Sequence, residues 1–241
     1  MENSQYKPQL PTHVGFIVDG NRRWAKERKL PTLEGHRRGF NKVEKIAVEC
    51  INRGAKYVSF YLFSTENWGR SEAEVSYLME LVRKNCSRLK KRFIKENIRC
   101  VVLGRRDPAP EDILAKLADL EESTKSGTAG TVCVCFNYGG HWEIADAVSK
   151  ILAERVNAED DDESTTEITP EDVANHLYHP EVPAADLIVR TSGEERISGF
   201  LLWRAAYSEF LFLEKYFPDL EFSDLDYIAD NYRNRNRRFG K

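Results

Sequence analysis

The stretch His13-Val14-Gly15-Phe16-Ile17-Val18-Asp19-Gly20-Asn21-Arg22-Arg23-Trp24 joins a short apolar run to a carboxylate, a glycine and the opening of a helix. It reads as a buried strand with polar residues at its carboxyl end, followed by a tight turn that Gly20 permits. A second run, Tyr57 to Phe63, is nearly continuous in β-branched and aromatic residues, the pattern of a central strand covered on both faces. Between the two, from Gly35, the apolar positions Phe40, Val43, Ile46, Ala47, Cys50 and Ile51 recur at helical spacing, and Gly54 supplies a stop.

The alternation continues outward. Glu72 to Asn97 reads as a long helix with Val75, Leu78, Val82, Cys86, Leu89 and Phe93 along one side. Ile98 to Leu103 and Thr131 to Phe136 read as strands, Pro110 to Ser123 and Trp142 to Val156 as helices. Asp186 to Val189 and Phe210 to Leu213 complete six strands, and Ser223 is placed to cap a final helix. Strands separated by helices imply βαβ units. The expected fold is therefore α/β: a single domain with a central, mainly parallel six-stranded sheet flanked by helices. Residues 1–12 are expected to be a flexible N-terminal extension. The polar stretch Ala158 to Glu167, with Asp160-Asp161-Asp162 inside it, reads as a solvated linker.

Composition narrows the function. The 241 residues are 41% apolar and 31% charged, with a formal net charge of -3, so there is no basic field for holding nucleic acid. No window reaches the roughly 18 consecutive apolar residues of a spanning helix, and the first residues do not read as a signal peptide. Cys50, Cys86, Cys100, Cys133 and Cys135 are odd in number and lack CxxC spacing. They read as reduced core thiols in a cytoplasmic protein rather than a zinc site or redox pair.

In an open parallel sheet, ligands bind beyond the carboxyl ends of the strands, so the polar residues that follow the strands should converge. After the first strand, Asp19 suits magnesium, which commonly takes one or two carboxylates plus phosphate oxygens and water. The arginines behind it suit a diphosphate, with forked donors at a helix start. Asp19 is equally suited to be a simple N-cap. After the second strand comes Phe63-Ser64-Thr65-Glu66-Asn67-Trp68-Gly69-Arg70, in which Ser64 and Asn67 could orient a phosphate or pass a proton, or merely open a helix capped by Ser71. After a late strand, Arg190-Thr191-Ser192-Gly193-Glu194-Glu195-Arg196-Ile197-Ser198 looks like a second anion cradle, with salt bridges to Glu194 or Glu195 as the plainer reading.

Taken in order, the segments HVGFIVDGNRRWA, Gly35-His36, FSTENWGR, FNYGG, DLIVRTSGEERISGFLLW, the AYSEF around Glu209 and the terminal RRFG resemble the cis-prenyltransferase family over nearly the whole chain. The resemblance implies one catalytic domain over residues 13–241. It also implies condensation of isopentenyl diphosphate with an allylic diphosphate to a Z-polyprenyl diphosphate, with Mg2+ as cofactor. Asp19 corresponds to the magnesium-positioning aspartate. Gly20, Asn21, Arg22, Arg23, Trp24 and His36 fall in the allylic diphosphate pocket. Ser64, Asn67, Trp68 and Arg70 fall in the loop implicated in binding and proton removal. Arg190, Arg196 and Ser198 match the isopentenyl diphosphate site. Glu209 matches a carboxylate that assists the metal across a dimer, and Arg238 and Gly240 match a C-terminal motif that reaches the neighbouring subunit. A homodimer with a shared site is the expectation, with an apolar tunnel walled by the central strands and by Leu78, Val82, Cys86 and Leu89. A long product would bring peripheral membrane contact.

The chain departs from the pattern at three places. Thr32 stands where the family often has arginine, leaving Arg22, Arg37 or Arg38 as substitutes, while Gly199 and Arg204 stand where Asn and Gln are common. The expected product is undecaprenyl-like, made from farnesyl diphosphate for a cell-wall lipid carrier. Leu62 and Phe136 are bulkier than is common there and point to a short-chain product as the alternative. The trans-prenyltransferases need paired DDxxD motifs on facing helices, which this chain lacks. A non-catalytic scaffold subunit would lack Asp19 and Asn67, and a phosphate-binding regulator would show no turnover.

Overall fold

The computed structural model describes residues 8–157 and 167–235. Six strands form one sheet: β1 His13–Ile17, β2 Tyr57–Ser64, β3 Ile98–Leu103, β4 Gly130–Tyr138, β5 Leu187–Thr191 and β6 Glu209–Leu213. Their order is β3-β4-β2-β1-β5-β6, and all five pairings are parallel, so the sheet is wholly rather than mainly parallel. The helices are α1 Asn21–Glu27, α2 Thr32–Asn52, α3 Glu72–Lys95, α4 Glu111–Thr124, α5 Gly140–Asn157, α6 Pro170–His176 and α7 Phe222–Arg233.

Alternate residues of each strand serve opposite faces. Val14, Phe16, Val58, Phe60, Val132 and Val134 meet apolar residues of α2, α3, α4 and α7 in one large core. Ile17, Tyr61, Cys133, Cys135 and Ile188 meet Val182, Phe200 and Leu201 on the other face. Gly15 makes that second layer possible, because a Cβ there would stand 2.7 Å from Ile188 and 2.8 Å from Phe200. Beyond it, α5 and α6 pack through Ala147, Ile151 and Val173, with Trp203 against them.

Several elements differ from the sequence reading. β4, β5 and β6 each extend into flanking polar or aromatic residues, because neighbouring strands supply hydrogen-bond partners whatever the side chain. α6 was not anticipated; Thr169 and Asp172 cap it reciprocally. Ser223 does not cap α7, which Glu221 precedes with Asp224 bonding back to the Glu221 amide at 2.6 Å. Part of the expected extension is laid onto the body: Leu10 is buried and its amide donates to the Arg53 carbonyl. Residues 1–7 and nearly all of the Asp160-Asp161-Asp162 stretch lie outside the described residues. All five cysteines are buried and free, and burial pushes their thiols up, to about 11 for Cys86 and about 12 for Cys133.

Candidate active site

β1 and β5 lie side by side, yet the chain leaves β1 toward β2 and β5 toward β6, in opposite directions across the sheet. A crevice opens at such a switch point. The chain then turns sharply at Gly20, whose φ is 95°; a Cβ there would meet Tyr216 at 2.6 Å and Ser192 at 2.8 Å. That turn presents Asp19. Its Oδ2 accepts from Arg190 Nη2 at 2.8 Å and its Oδ1 from the Gly20 amide at 2.7 Å. Thr191 fixes the backbone behind it, its hydroxyl accepting from the Asp19 amide at 3.1 Å. Arg190 is almost fully buried and also donates to Ser198 Oγ at 3.0 Å and to the Arg196 carbonyl, while its Nε has no partner. One buried guanidinium therefore locks the Asp19 carboxylate and the loop after β5 into one arrangement.

A cavity of about 670 Å3 lies over these groups. Arg22, Arg23 and Lys26 reach it from α1, Arg70 from the end of the loop after β2, and Arg190 from β5. Asp19 is the one carboxylate among its lining residues, so five cations face a single formal negative charge. Such a cavity selects anions. Part of its lining is apolar, with Leu62 from β2 and Leu78 from α3.

The cations are held from behind. Arg23 donates to Ser192 Oγ at 2.6 Å and pairs with Glu194 at 3.0 Å. Glu74, in the first turn of α3, accepts from Arg70 at 2.8 Å, faces Arg22 at 3.7 Å and meets His36 Nε2 at 3.1 Å. Burial pushes the Glu74 carboxyl up, but Arg70, Arg22 and His36 together outweigh it and hold it below the usual range. Burial pushes the His36 imidazole down, against the opposing pull of Glu74. Across the cavity, Asn67 Oδ1 accepts from the Ser64 amide at 3.1 Å and shapes the turn after β2.

A prenyltransferase family model described as "Putative undecaprenyl diphosphate synthase" matches residues 17–240. The chain belongs to the cis-prenyltransferase family. It is 42% identical to an isoprenyl transferase of Thermotoga maritima over 96% of this chain and 97% of that one. It is 38% identical to the ditrans,polycis-undecaprenyl-diphosphate synthase of Micrococcus luteus, over 96% and 92%. Lavandulyl diphosphate synthase from Lavandula x intermedia, solved with dimethylallyl diphosphate, superimposes with a TM-score of 0.87 at 30% identity, covering 96% of this chain and 98% of that one.

Of the residues this cis-prenyltransferase was expected to use, the cavity gathers Asp19, Gly20, Asn21, Arg22, Arg23 and His36 from the segment that runs from the end of β1 into α2. It gathers Ser64, Asn67 and Arg70 from the end of β2 and the loop after it, and Arg190 and Ser198 from β5 and the loop that follows. Four expected residues lie elsewhere. Trp24 is buried, its indole donating to Asp219 at 2.6 Å, and Trp68 donates to Asn137 at 2.8 Å while packing edge-on against Phe63. Arg196 is exposed and pairs with Glu194. Glu209, at the edge strand β6, pairs with Arg235 at 2.8 Å and does not line the cavity of its own chain. Arg238 and Gly240 lie outside the described residues.

The expected tunnel wall is only partly present. Leu78 lines the cavity, but Val82, Cys86 and Leu89 are buried in the large core, where an apolar helix face packs equally well. Among the substitutes for the arginine missing at Thr32, only Arg22 lines the cavity. Arg37 forks onto Glu34, and Arg38 lies near Glu34 and the Trp24 ring. Glu74 and Lys26 were not singled out from sequence, since a glutamate in a helix's first turn carries no signal beyond favourable dipole placement, while Glu194 takes the salt-bridge role given as the plainer reading, pairing with Arg196 as well as Arg23. Among the described residues no group of three or more metal-ligating side chains forms. Asp19 alone, one-third exposed in the cavity, nevertheless fits a magnesium ion whose other ligands are phosphate oxygens and water.

Proposed function

We propose that this chain condenses isopentenyl diphosphate with an allylic diphosphate, farnesyl diphosphate in the first instance, to a Z-polyprenyl diphosphate of undecaprenyl length. The observation that carries the reading is the Asp19–Arg190 pair at the switch point, beneath a cavity whose lining divides into five cations and apolar side chains that include Leu62 and Leu78. Two anionic heads and an apolar tail require that division.

Arg22, Arg23 and Arg70 offset the charge that develops on the departing diphosphate as its bond to the allylic carbon breaks. The double bond of isopentenyl diphosphate, anchored at Arg190 and Ser198, attacks that carbon, and a proton leaves toward the Ser64–Asn67 turn as the new Z double bond forms. A magnesium ion held at Asp19 would add further neutralisation of the phosphates. The protein orients two anions and excludes water; it forms no covalent bond.

Glu209 does not line the cavity of its own chain and pairs with Arg235, so a role for it in the metal site requires a second copy, and the working unit on this reading is a homodimer. Among the described residues no helix is long and apolar enough to cross a membrane. Release of a long lipid from a cytoplasmic enzyme implies peripheral contact with a bilayer.

A short-chain product is the second reading. What favours it is the wall behind Leu62: the Phe63 and Phe136 rings pack 5.4 Å apart, and Val82, Cys86 and Leu89 are buried. The test supplies labelled isopentenyl diphosphate, farnesyl diphosphate and magnesium to the purified chain and sizes the dephosphorylated products. Turnover is expected, and its absence would refute the enzyme reading in favour of a scaffold subunit or a regulator. Asp19→Ala should lower kcat on the order of 10²- to 10³-fold with an unchanged circular dichroism spectrum. Near-normal activity would remove Asp19 from the chemistry.

A further inference from the structure

Among the described residues, one cation of the cavity has no acidic partner. Arg190 is closed on Asp19 and Arg23 on Glu194, while Arg22 and Arg70 both face Glu74. Lys26 lines the same cavity from the last turn of α1 and is exposed. Among the described residues no carboxylate forms an ion pair with its ammonium. Its neighbours on that helix face are Arg22, four residues before it, and Arg23, three before it. Positions at these spacings lie beside one another, and like charges there oppose helix formation. The sequence therefore concentrates positive charge on the cavity side of α1 at a cost to the free protein. A bound anion reverses that cost.

Beyond α1, toward the start of α2, the cavity lining next to Lys26 carries no formal charge. Leu30 and Thr32 line it from the α1–α2 connection and the start of α2, and Arg37 and Arg38 are both turned toward Glu34. We propose that Lys26 binds the terminal phosphate of the allylic diphosphate, supplying on the α1–α2 side the cationic contact that Thr32 cannot make. The inference rests on reading the site as one for two diphosphates. The allylic head is assigned to Lys26 because Arg190 and Ser198 belong to a different part of the chain, β5 and the loop after it, and are left for isopentenyl diphosphate. An ammonium on a flexible stem also suits a terminal phosphate, since it acts as a point charge without a fixed fork.

The test compares wild type, Lys26→Met and Lys26→Arg in the full chain with magnesium present. Farnesyl diphosphate is titrated alone by intrinsic tryptophan fluorescence, and KM is measured for each substrate. Losing one charge-assisted contact predicts about a tenfold rise in the farnesyl diphosphate Kd and KM for Lys26→Met. The isopentenyl diphosphate KM should stay within about twofold, and Lys26→Arg should recover most of the loss, since it keeps the charge. Unchanged farnesyl diphosphate binding in Lys26→Met overturns the proposal. So does an equal rise in both KM values, which would mark a long-range field acting on any anion. A wild-type chain inert toward both substrates would sink the underlying reading instead, and is told apart because it needs no variant.

Discussion

At the scale of single residues the site is a set of charges held by other charges. Arg190 is placed by its own bonds to Asp19 and Ser198, but Arg22 and Arg70 depend on Glu74, which contributes nothing to the cavity wall. That dependence is testable. Glu74→Ala frees Arg70 and Arg22 and removes the partner of His36, and since small misplacements of positioning groups cost up to 10²-fold, kcat/KM should fall roughly 10- to 100-fold. Glu74→Gln keeps a neutral acceptor for Arg70 but no charge, so its activity should fall between wild type and Glu74→Ala. Steady-state kinetics with circular dichroism as a folding check gives the order, and a Gln variant equal to wild type would show that the charge is irrelevant. Position just beyond a β-rich run singled out Asp19, Arg23 and Arg190, but an N-cap or a salt bridge explained them as simply, and the ordered resemblance to a family was what pointed to a site. Glu74 and Lys26 were invisible because in amphipathic helices their types are the commonest surface residues, and only the packing of α1, α2 and α3 brings Lys26 to the cavity and Glu74 against Arg22 and Arg70 behind it.

Elements explain why the residues meet. α1 lies against α2 because Gly35 and Gly39 offer no side chain there; a Cβ at Gly35 would sit 1.9 Å from the Asn21 carbonyl oxygen, and one at Gly39 2.1 Å from Asn21 Oδ1. The approach sets the position of Asn21 and of the cations that follow it. Gly35→Ala must push the helices apart, and overpacking of this kind costs about 1–3 kcal/mol. The expected outcome is a Tm lower by a few degrees together with a loss in kcat/KM on the order of 10²-fold, out of proportion to the stability change. Gly69→Ala is the control, since a Cβ there meets nothing within 4 Å, and it should behave as wild type. Strand and helix identity was readable from periodicity, from β1 at His13–Ile17 to β3 at Ile98–Leu103. Strand ends were not, because residues such as Ser64 and Asn137 are held in the sheet by their neighbours and not by any preference of their own. The tunnel was unreadable on the same grounds: Val82, Cys86 and Leu89 would look alike lining a channel or filling a core, and here they fill the core.

For the molecule as a whole, two properties follow from how distant segments are joined. His13 is fully buried where β1, β2 and the segment before β5 meet, with Nε2 2.8 Å from Ser59 Oγ and Nδ1 2.9 Å from the Pro183 carbonyl. Burial, aided by Arg204, lowers its pKa to about 4, against the opposing hydrogen bonds and Asp186. The unfolded chain protonates this imidazole near pH 6.5 and the folded chain only near 4, so the unfolded state binds more protons between those values. Stability from His13 is thus complete above about pH 6.5 and lost as the pH falls to about 4, on the order of 3 kcal/mol in all. Urea midpoints measured across that range should fall more steeply for wild type than for His13→Asn; parallel curves would remove His13 as the cause. The second property concerns two copies. If Glu209 and the C-terminal Arg238 serve the partner's cavity, as the proposed homodimer requires, Asp19→Ala and Arg238→Ala subunits carry complementary defects. Each is nearly inactive alone. In a mixed dimer one cavity has lost both groups, while the other has Asp19 from its own chain and Arg238 from its partner. Random reassociation of equal amounts makes half the dimers mixed, with one working site of two, so activity should return to about a quarter of wild type. Activity that stays at the level of the separate variants after denaturation and co-refolding would mean that each cavity is complete within its own chain.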